Sequence, residues 1–178
     1  EVTGVGGTDG AEDDDAVEDL PDRPVSTAPN FVTAEGLAAI EAERAFAEAG
    51  LAQRVRIDSA GTLDFHAGRP ADARSIALAA DFGLDLGAHR ARQVTRADID
   101  GAELVIAMDR RNIADLRQFA PAHAWGRVRL LMSFAGQVQG EVPDPYTGGR
   151  ADFERSFALI REGVAGLTKQ LQHLHNPI

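Results

Sequence analysis

Residues 102–108, AELVIAM, decide the fold. Apart from Glu103 every side chain in the run is apolar, and apolar and polar positions do not alternate. A strand with one wet face alternates, whereas an unbroken apolar run belongs to a strand covered on both faces, the habit of parallel sheets flanked by helices. Working outward, RRNIADLRQFAP (110–121) reads as a helix ended by Pro121, with Asp109 as its N-cap, and RVRLLMSF (127–134) as a further strand. Upstream, ADARSIALAADFG (71–83) is a helix stopped by Gly83, VRIDSAG (55–61) a short strand ending in a turn, and TAEGLAAIEAERAFAEAG (33–50) a helix with Thr33 at its N-cap and Gly50 at its C-cap. Residues 150–173 place Phe153, Phe157, Ile160, Val164, Leu167 and Leu171 on one stripe, an amphipathic closing helix. Strands alternating with helices predict an α/β domain, with ligands beyond the carboxyl ends of the strands. Three such ends are available: 58–62, 107–109 and the segment leading to Asp144.

With 178 residues, 44% hydrophobic and 26% charged, the chain suits one domain with a substantial core. No apolar run approaches the roughly 18 to 20 residues of a membrane span, and the first residues are acidic rather than basic and apolar. Neither membrane anchor nor signal peptide is expected, which points to the cytoplasm and to no membrane partner. The absence of cysteine excludes disulfides, zinc-thiolate sites and a cysteine nucleophile within this sequence. The net charge of −10 is uneven: residues 1–30 hold nine acids and one arginine, leaving 19 acids and 17 basic residues for the rest. That balance gives no basic face, so nucleic acid is not an expected partner.

Residues 1–30, rich in glycine, acids and proline, have the composition of a disordered segment, which places the domain at 31–178. GVGGTDG lacks a preceding strand for a phosphate loop, and DGAEDDD lacks the spaced ligands of a calcium loop. His173 and His175, two apart on a helix, point to different sides and do not form a metal pair. No metal or cofactor is implied.

The stretch EVPDPYTGG (141–149) clamps Asp144 between two prolines, each of which fixes its own φ and biases the residue before it towards extended backbone. Two readings stand side by side: a Pro-Asp-Pro turn into the closing helix, or a carboxyl held stiffly to meet another group.

Six stretches in order, TAEG (33–36), DSAGT (58–62), FHAGRPADARS (65–75), GLDLGAHRARQVT (83–95), AMDRRN (107–112) and VPDPYTGGRADFE (142–154), resemble the low-molecular-weight protein tyrosine phosphatases over roughly residues 33–170. The resemblance implies a flavodoxin-like three-layer sandwich with a four-stranded parallel sheet in order 2-1-3-4, and hydrolysis of phosphate monoesters carried on phosphotyrosine proteins or small phosphate esters. It makes Asp144 the general acid that protonates the leaving phenolate. Tyr146 and Phe65 would flank the substrate ring, and Ser59 and His89 would support the phosphate loop. Thr147 stands where many members carry a second tyrosine, which thins that aromatic wall. His66 reads as solvated.

The family nucleophile is a cysteine thiolate in a Cys-x5-Arg loop, lowered in pKa by backbone N–H groups at a helix start. Counting back from Thr33 puts the arginine position at Asn30, the following serine at Phe31 and the cysteine at Pro24. None of the three matches, and Ser26 and Thr27 sit at the wrong offset to replace the thiol. The family's buried first strand would fall on AVEDLPD (16–22), where acids and a proline are out of place in a sheet centre, or on EVTGV (1–5). First strand and phosphate loop are therefore expected to be atypical or absent. Three explanations stay open: a pseudophosphatase that binds a partner or phosphorylated ligand, a frameshift or misassigned start upstream of Thr33, and a scaffold without phosphate chemistry. Arsenate reductases share the fold but also require cysteines.

Overall fold

The computed structural model describes residues 34–175. The candidate first strands, the Thr33 cap, the 1–30 segment and positions 24, 30 and 31 lie outside the described residues. Strand β1 (Val105–Ala107) pairs in parallel with β2 (Val128–Leu130), in register Val105 to Val128, Ile106 to Arg129 and Ala107 to Leu130. The flanks of β1 explain its unbroken apolar run. Leu104, Ile106 and Met108 pack into a core with helices α1 (Ala34–Glu48), α2 (Ala73–Asp81) and α5 (Arg150–His175). Val105 and Ala107 pack into a second core with α3 (Arg96–Gly101) and α4 (Arg110–Phe119). Alternate side chains thus meet apolar neighbours on opposite faces, as a strand with period 2 buried on both sides requires. The architecture is α/β, flavodoxin-like, with an open parallel sheet.

The helices form where their apolar spacing places them. Leu37, Ala38, Ala42 and Phe46 are the buried face of α1. The helix closes through Gly50 at φ 72°, whose N–H donates to Ala47 O while Leu51 N–H reaches Phe46 O at 2.8 Å. Phe153, Phe157, Ile160, Val164 and Leu167 form the buried stripe of α5, and Leu171 is partly covered. Glu41, buried on α1, is paired with Arg44 at 2.6 Å and lies 3.5 Å from Arg161 of α5, so the two helices share an ionic seam as well as an apolar one. Among the described residues no helix is long and apolar enough to cross a membrane.

Three expectations change. Residues 127–134 are not one strand: after β2 the chain winds into a 3-10 turn, Leu131–Ala135, ended by Gly136 at φ 80°. Leu131 and Met132 are driven inward against α5, where Gly163 and Gly166 leave room for Leu131 and the Phe134 carbonyl. Among the described residues, 55–61 form no strand ladder and pair through a single bridge, Gly61 to Gln93. In the family order 2-1-3-4 the position beside this segment belongs to sequence outside the described residues. Short α3, unforeseen, is set by a capping box in which Thr95 accepts from Asp98 N–H and Asp98 accepts from Thr95 N–H at 2.7 Å.

Candidate functional site

The chain beyond the carboxyl end of β1 is held by short contacts from three sides. Val142 N–H donates to Met108 O at 2.8 Å, which sets the 142–149 loop directly past the strand end. Ser156 Oγ donates to Pro143 O at 2.7 Å and ties the same loop to α5. Asp109, as its position predicts, caps α4: its side chain accepts from Asn112 N–H at 2.7 Å. Inside the loop, Pro145 is buried and Asp144 exposed. Asp144 Oδ1 accepts from Tyr146 N–H at 3.1 Å, a turn in which the side chain replaces a backbone acceptor two residues back. The prolines and this bond together restrict the carboxyl while leaving it at the surface.

Arg74 was not singled out from sequence, yet it holds the other end of the loop. Its Nε and Nη2 engage Asp72 Oδ1 and Oδ2 at 3.0 and 2.8 Å. Nη2 also donates to Tyr146 O at 3.0 Å, and Nη1 to Gly148 O at 3.1 Å. The guanidinium lies 4.4 Å from the Phe153 ring centroid and 5.6 Å from that of Tyr146. Asp72, itself buried, is the N-cap of α2, accepting from Arg74 N–H at 2.7 Å. The Arg74 side-chain bonds hold the Asp72 carboxyl below its usual pKa. The readable signal was a capping aspartate followed two residues later by arginine.

Glu35, in the first turn of α1, is the second group that sequence reasoning passed over. Burial pushes its carboxyl up to about 7, with the charges of Asp144 and Asp109 adding to the rise and a hydrogen bond from its own backbone opposing it. The residue keeps part of its surface even though its carboxyl is enclosed. Glu35 thus feels the charges of Asp109, just past β1, and of Asp144 in the loop beyond it.

The motifs 58–62, 65–75 and 83–95 are stitched side by side. Gly61 N–H donates to Arg92 O and Val94 N–H to Gly61 O, each at 2.9 Å. Gly68 N–H donates to Ala91 O at 2.7 Å, and Ala91 N–H to Arg69 O at 2.9 Å. His89, half-buried at the edge of this ribbon, packs its ring on Gly36, next to Glu35. Burial, helped by Arg90, lowers its pKa and favours the neutral ring. Ser59 is half-buried beside Asp58, whose Oδ1 accepts the Ser59 N–H at 2.8 Å. Phe65 is exposed, at 55% of its surface, and meets His66 edge-on at 4.9 Å. His66 is buried at 7% rather than solvated, because the 65–69 turn folds it inward. Asp144 and Tyr146 are thus brought together, whereas no hydrogen bond or ring contact among the described residues joins Phe65 or Ser59 to Tyr146.

Comparison with known proteins bears on the whole of this arrangement. The family model for low molecular weight phosphotyrosine protein phosphatase matches residues 32–176. The chain belongs to this family. A low molecular weight protein-tyrosine-phosphatase of Streptomyces coelicolor is 40% identical over 124 residues, covering 67% of this chain and 75% of the relative. Low molecular weight protein-tyrosine phosphatase A of Mycobacterium tuberculosis is 39% identical over 133 residues, covering 71% of this chain and 79% of the relative. Among solved structures, the crystal structure of YfkJ from Bacillus subtilis superposes with a TM-score of 0.75 at 28% identity, covering 82% of this chain and 91% of that one. In this member of the family the carboxyl end of β1, the capping Asp109 and the loop that carries Asp144 lie next to one another.

Proposed function

We propose that residues 31–178 are a low-molecular-weight phosphatase domain that keeps the acid and aromatic arm of a phosphomonoester site but performs no thiol-based hydrolysis. It is a pseudophosphatase of the cytoplasm that binds a phosphotyrosine protein or a small phosphate ester without turning it over. One observation carries this reading: the 178 residues contain no cysteine. Attack on phosphorus in this family needs a thiolate, because a neutral serine or threonine hydroxyl without an adjacent base is a weak nucleophile. The counted position of the phosphate-binding arginine is Asn30, and Arg74 has its donors committed to Asp72 and two carbonyls. Asp144 is read as a general acid and Tyr146 as the ring neighbour of an aryl phosphate, with Phe65 at the rim and Ser59 and His89 as supports.

Turnover of para-nitrophenyl phosphate tests the inactive half of the reading: the wild type is expected to be no faster than Asp144→Ala, and clear excess activity over that variant overturns it. Titration with phosphotyrosine, followed by amide shifts at Ser59 and Tyr146, tests the binding half. Shifts at millimolar ligand support it, and their absence favours a scaffold without phosphate chemistry. Reading the coding DNA upstream of Thr33 in all three frames gives an independent check, since a hidden Cys-x5-Arg would make the intact protein an ordinary phosphatase.

A further inference from the structure

We propose that Arg74 is the positioning residue of this site: braced on Asp72, it fixes where the 144–148 loop stands and so where Asp144 and the Tyr146 ring are presented. The proposal rests on the phosphomonoester-site reading above for its ligand, but not for its geometry. Tyr146 is gripped at both ends of its main chain. Its N–H is held by Asp144 Oδ1 at 3.1 Å and its carbonyl by Arg74 Nη2 at 3.0 Å. A second carbonyl, Gly148 O, lies 3.1 Å from Nη1, so one guanidinium spans three loop residues. The anchor is rigid because Asp72 is buried and caps α2, and because Phe153 of α5 lies under the guanidinium at 4.4 Å. A planar fork can bond a carboxylate side-on and still direct N–H groups at two carbonyls, whereas a lysine ammonium is a point donor on a flexible stem. Arg74 acts through the loop and does not itself meet the reacting atoms.

Tyr146 is the single tyrosine of the sequence, so biosynthetic 3-fluorotyrosine yields one 19F resonance that reports on the loop. In the ligand-free wild type it should lie away from the free amino acid value. In Arg74→Lys and Arg74→Gln it should move towards that value and broaden, with far-ultraviolet circular dichroism unchanged. Asp72→Asn keeps a helix N-cap but loses the ion pair, and should give an intermediate shift. A wild-type resonance in both Arg74 variants overturns the proposal, and one in Asp72→Asn overturns the bracing. Phenyl phosphate is then titrated as the ligand probe, and Arg74→Lys should bind it at least about tenfold more weakly than wild type. Equal affinity also overturns the positioning role. If the wild type binds no phenyl phosphate, the phosphomonoester reading fails, while the ligand-free resonance still decides whether Arg74 holds the loop.

Discussion

The Nε2 side of the His89 ring faces Gly36 so closely that a methyl group on Gly36 would stand 2.9 Å from Nε2 and 3.0 Å from Cδ2. Gly36 lies inside α1, where alanine would ordinarily gain about 1 kcal/mol of helix propensity. Here the gain is opposed by a ring that must shift, so Gly36→Ala is expected to destabilise by about 1–2 kcal/mol, in the range of overpacked sites. In a His89→Ala background the same substitution should turn neutral or stabilising. Urea midpoints of the four proteins measure the coupling as a double-mutant cycle. Additive effects would mean that the two residues do not touch.

The seam between α5 and the 131–135 turn depends on glycine for the same reason, with backbone as the obstacle at Gly166 and a side chain at Gly163. A methyl at Gly166 would collide with the Phe134 carbonyl, and one at Gly163 would stand 2.5 Å from Leu131 Cγ. Gly166→Ala is expected to cost at least about 2 kcal/mol, because a backbone group cannot rotate away. Gly149→Ala, where nothing lies within 4 Å, should change stability by less than about 0.5 kcal/mol. Thermal unfolding of the two variants side by side checks the contrast.

The two-sided packing of 104–108 was legible because side chains on both faces of a parallel strand are apolar, and a single run of letters records both. Asp109 was legible as a cap because caps are local. The stripe of α5 was legible because its period is intrinsic to the helix. By contrast, the turn at 131–135 looks like continued strand: Leu131, Met132 and Phe134 are apolar for the sake of α5, and only the glycines thirty residues later reveal the close approach. Arg74 and Glu35 were illegible for a related reason. Their partners, Tyr146 and Gly148 for one and Asp144 and Asp109 for the other, are distant in the chain. His66 was misread because a histidine in a short turn carries no periodic mark of burial.

Arg92 joins two segments that the sequence keeps apart, pairing with Asp58 at 2.9 Å and with Asp98 at 2.8 Å. Its bond, with help from Thr95, holds the Asp98 carboxyl down at about 2. A depressed carboxyl contributes stability that is complete above its unfolded pKa and lost as pH falls through the folded one. Because the pair is partly exposed and screened, Arg92→Met is expected to cost only about 1 kcal/mol at neutral pH and low salt. That difference from wild type should shrink in high salt and fade as pH falls from about 4 towards about 2. Chemical denaturation across that grid measures it, and a cost independent of both salt and pH would show that Arg92 acts through packing alone.

The pH response of Glu35 should run the other way. A carboxyl raised from 4.5 to about 7 binds its proton more tightly in the folded than in the unfolded chain. Between those two values the native state holds more protons than the unfolded one, so rising pH lowers stability; below 4.5 and above about 7 the contribution is flat. The shift corresponds to at most about 3 kcal/mol, reduced by whatever solvent reaches the group. Glu35→Gln removes the titration while keeping a polar side chain of the same shape. The stability of wild type minus that of Glu35→Gln should therefore fall from pH 5 to pH 8 and level off beyond it. Asp144→Asn, which removes one of the charges raising Glu35, should move the midpoint of that fall to lower pH. The measurement is a set of urea unfolding curves for the three proteins at half-unit pH steps. A difference curve that stays level from pH 5 to pH 8 would place the Glu35 carboxyl in ordinary solvent, away from Asp144 and Asp109, and would undo the arrangement of carboxylates at the strand ends.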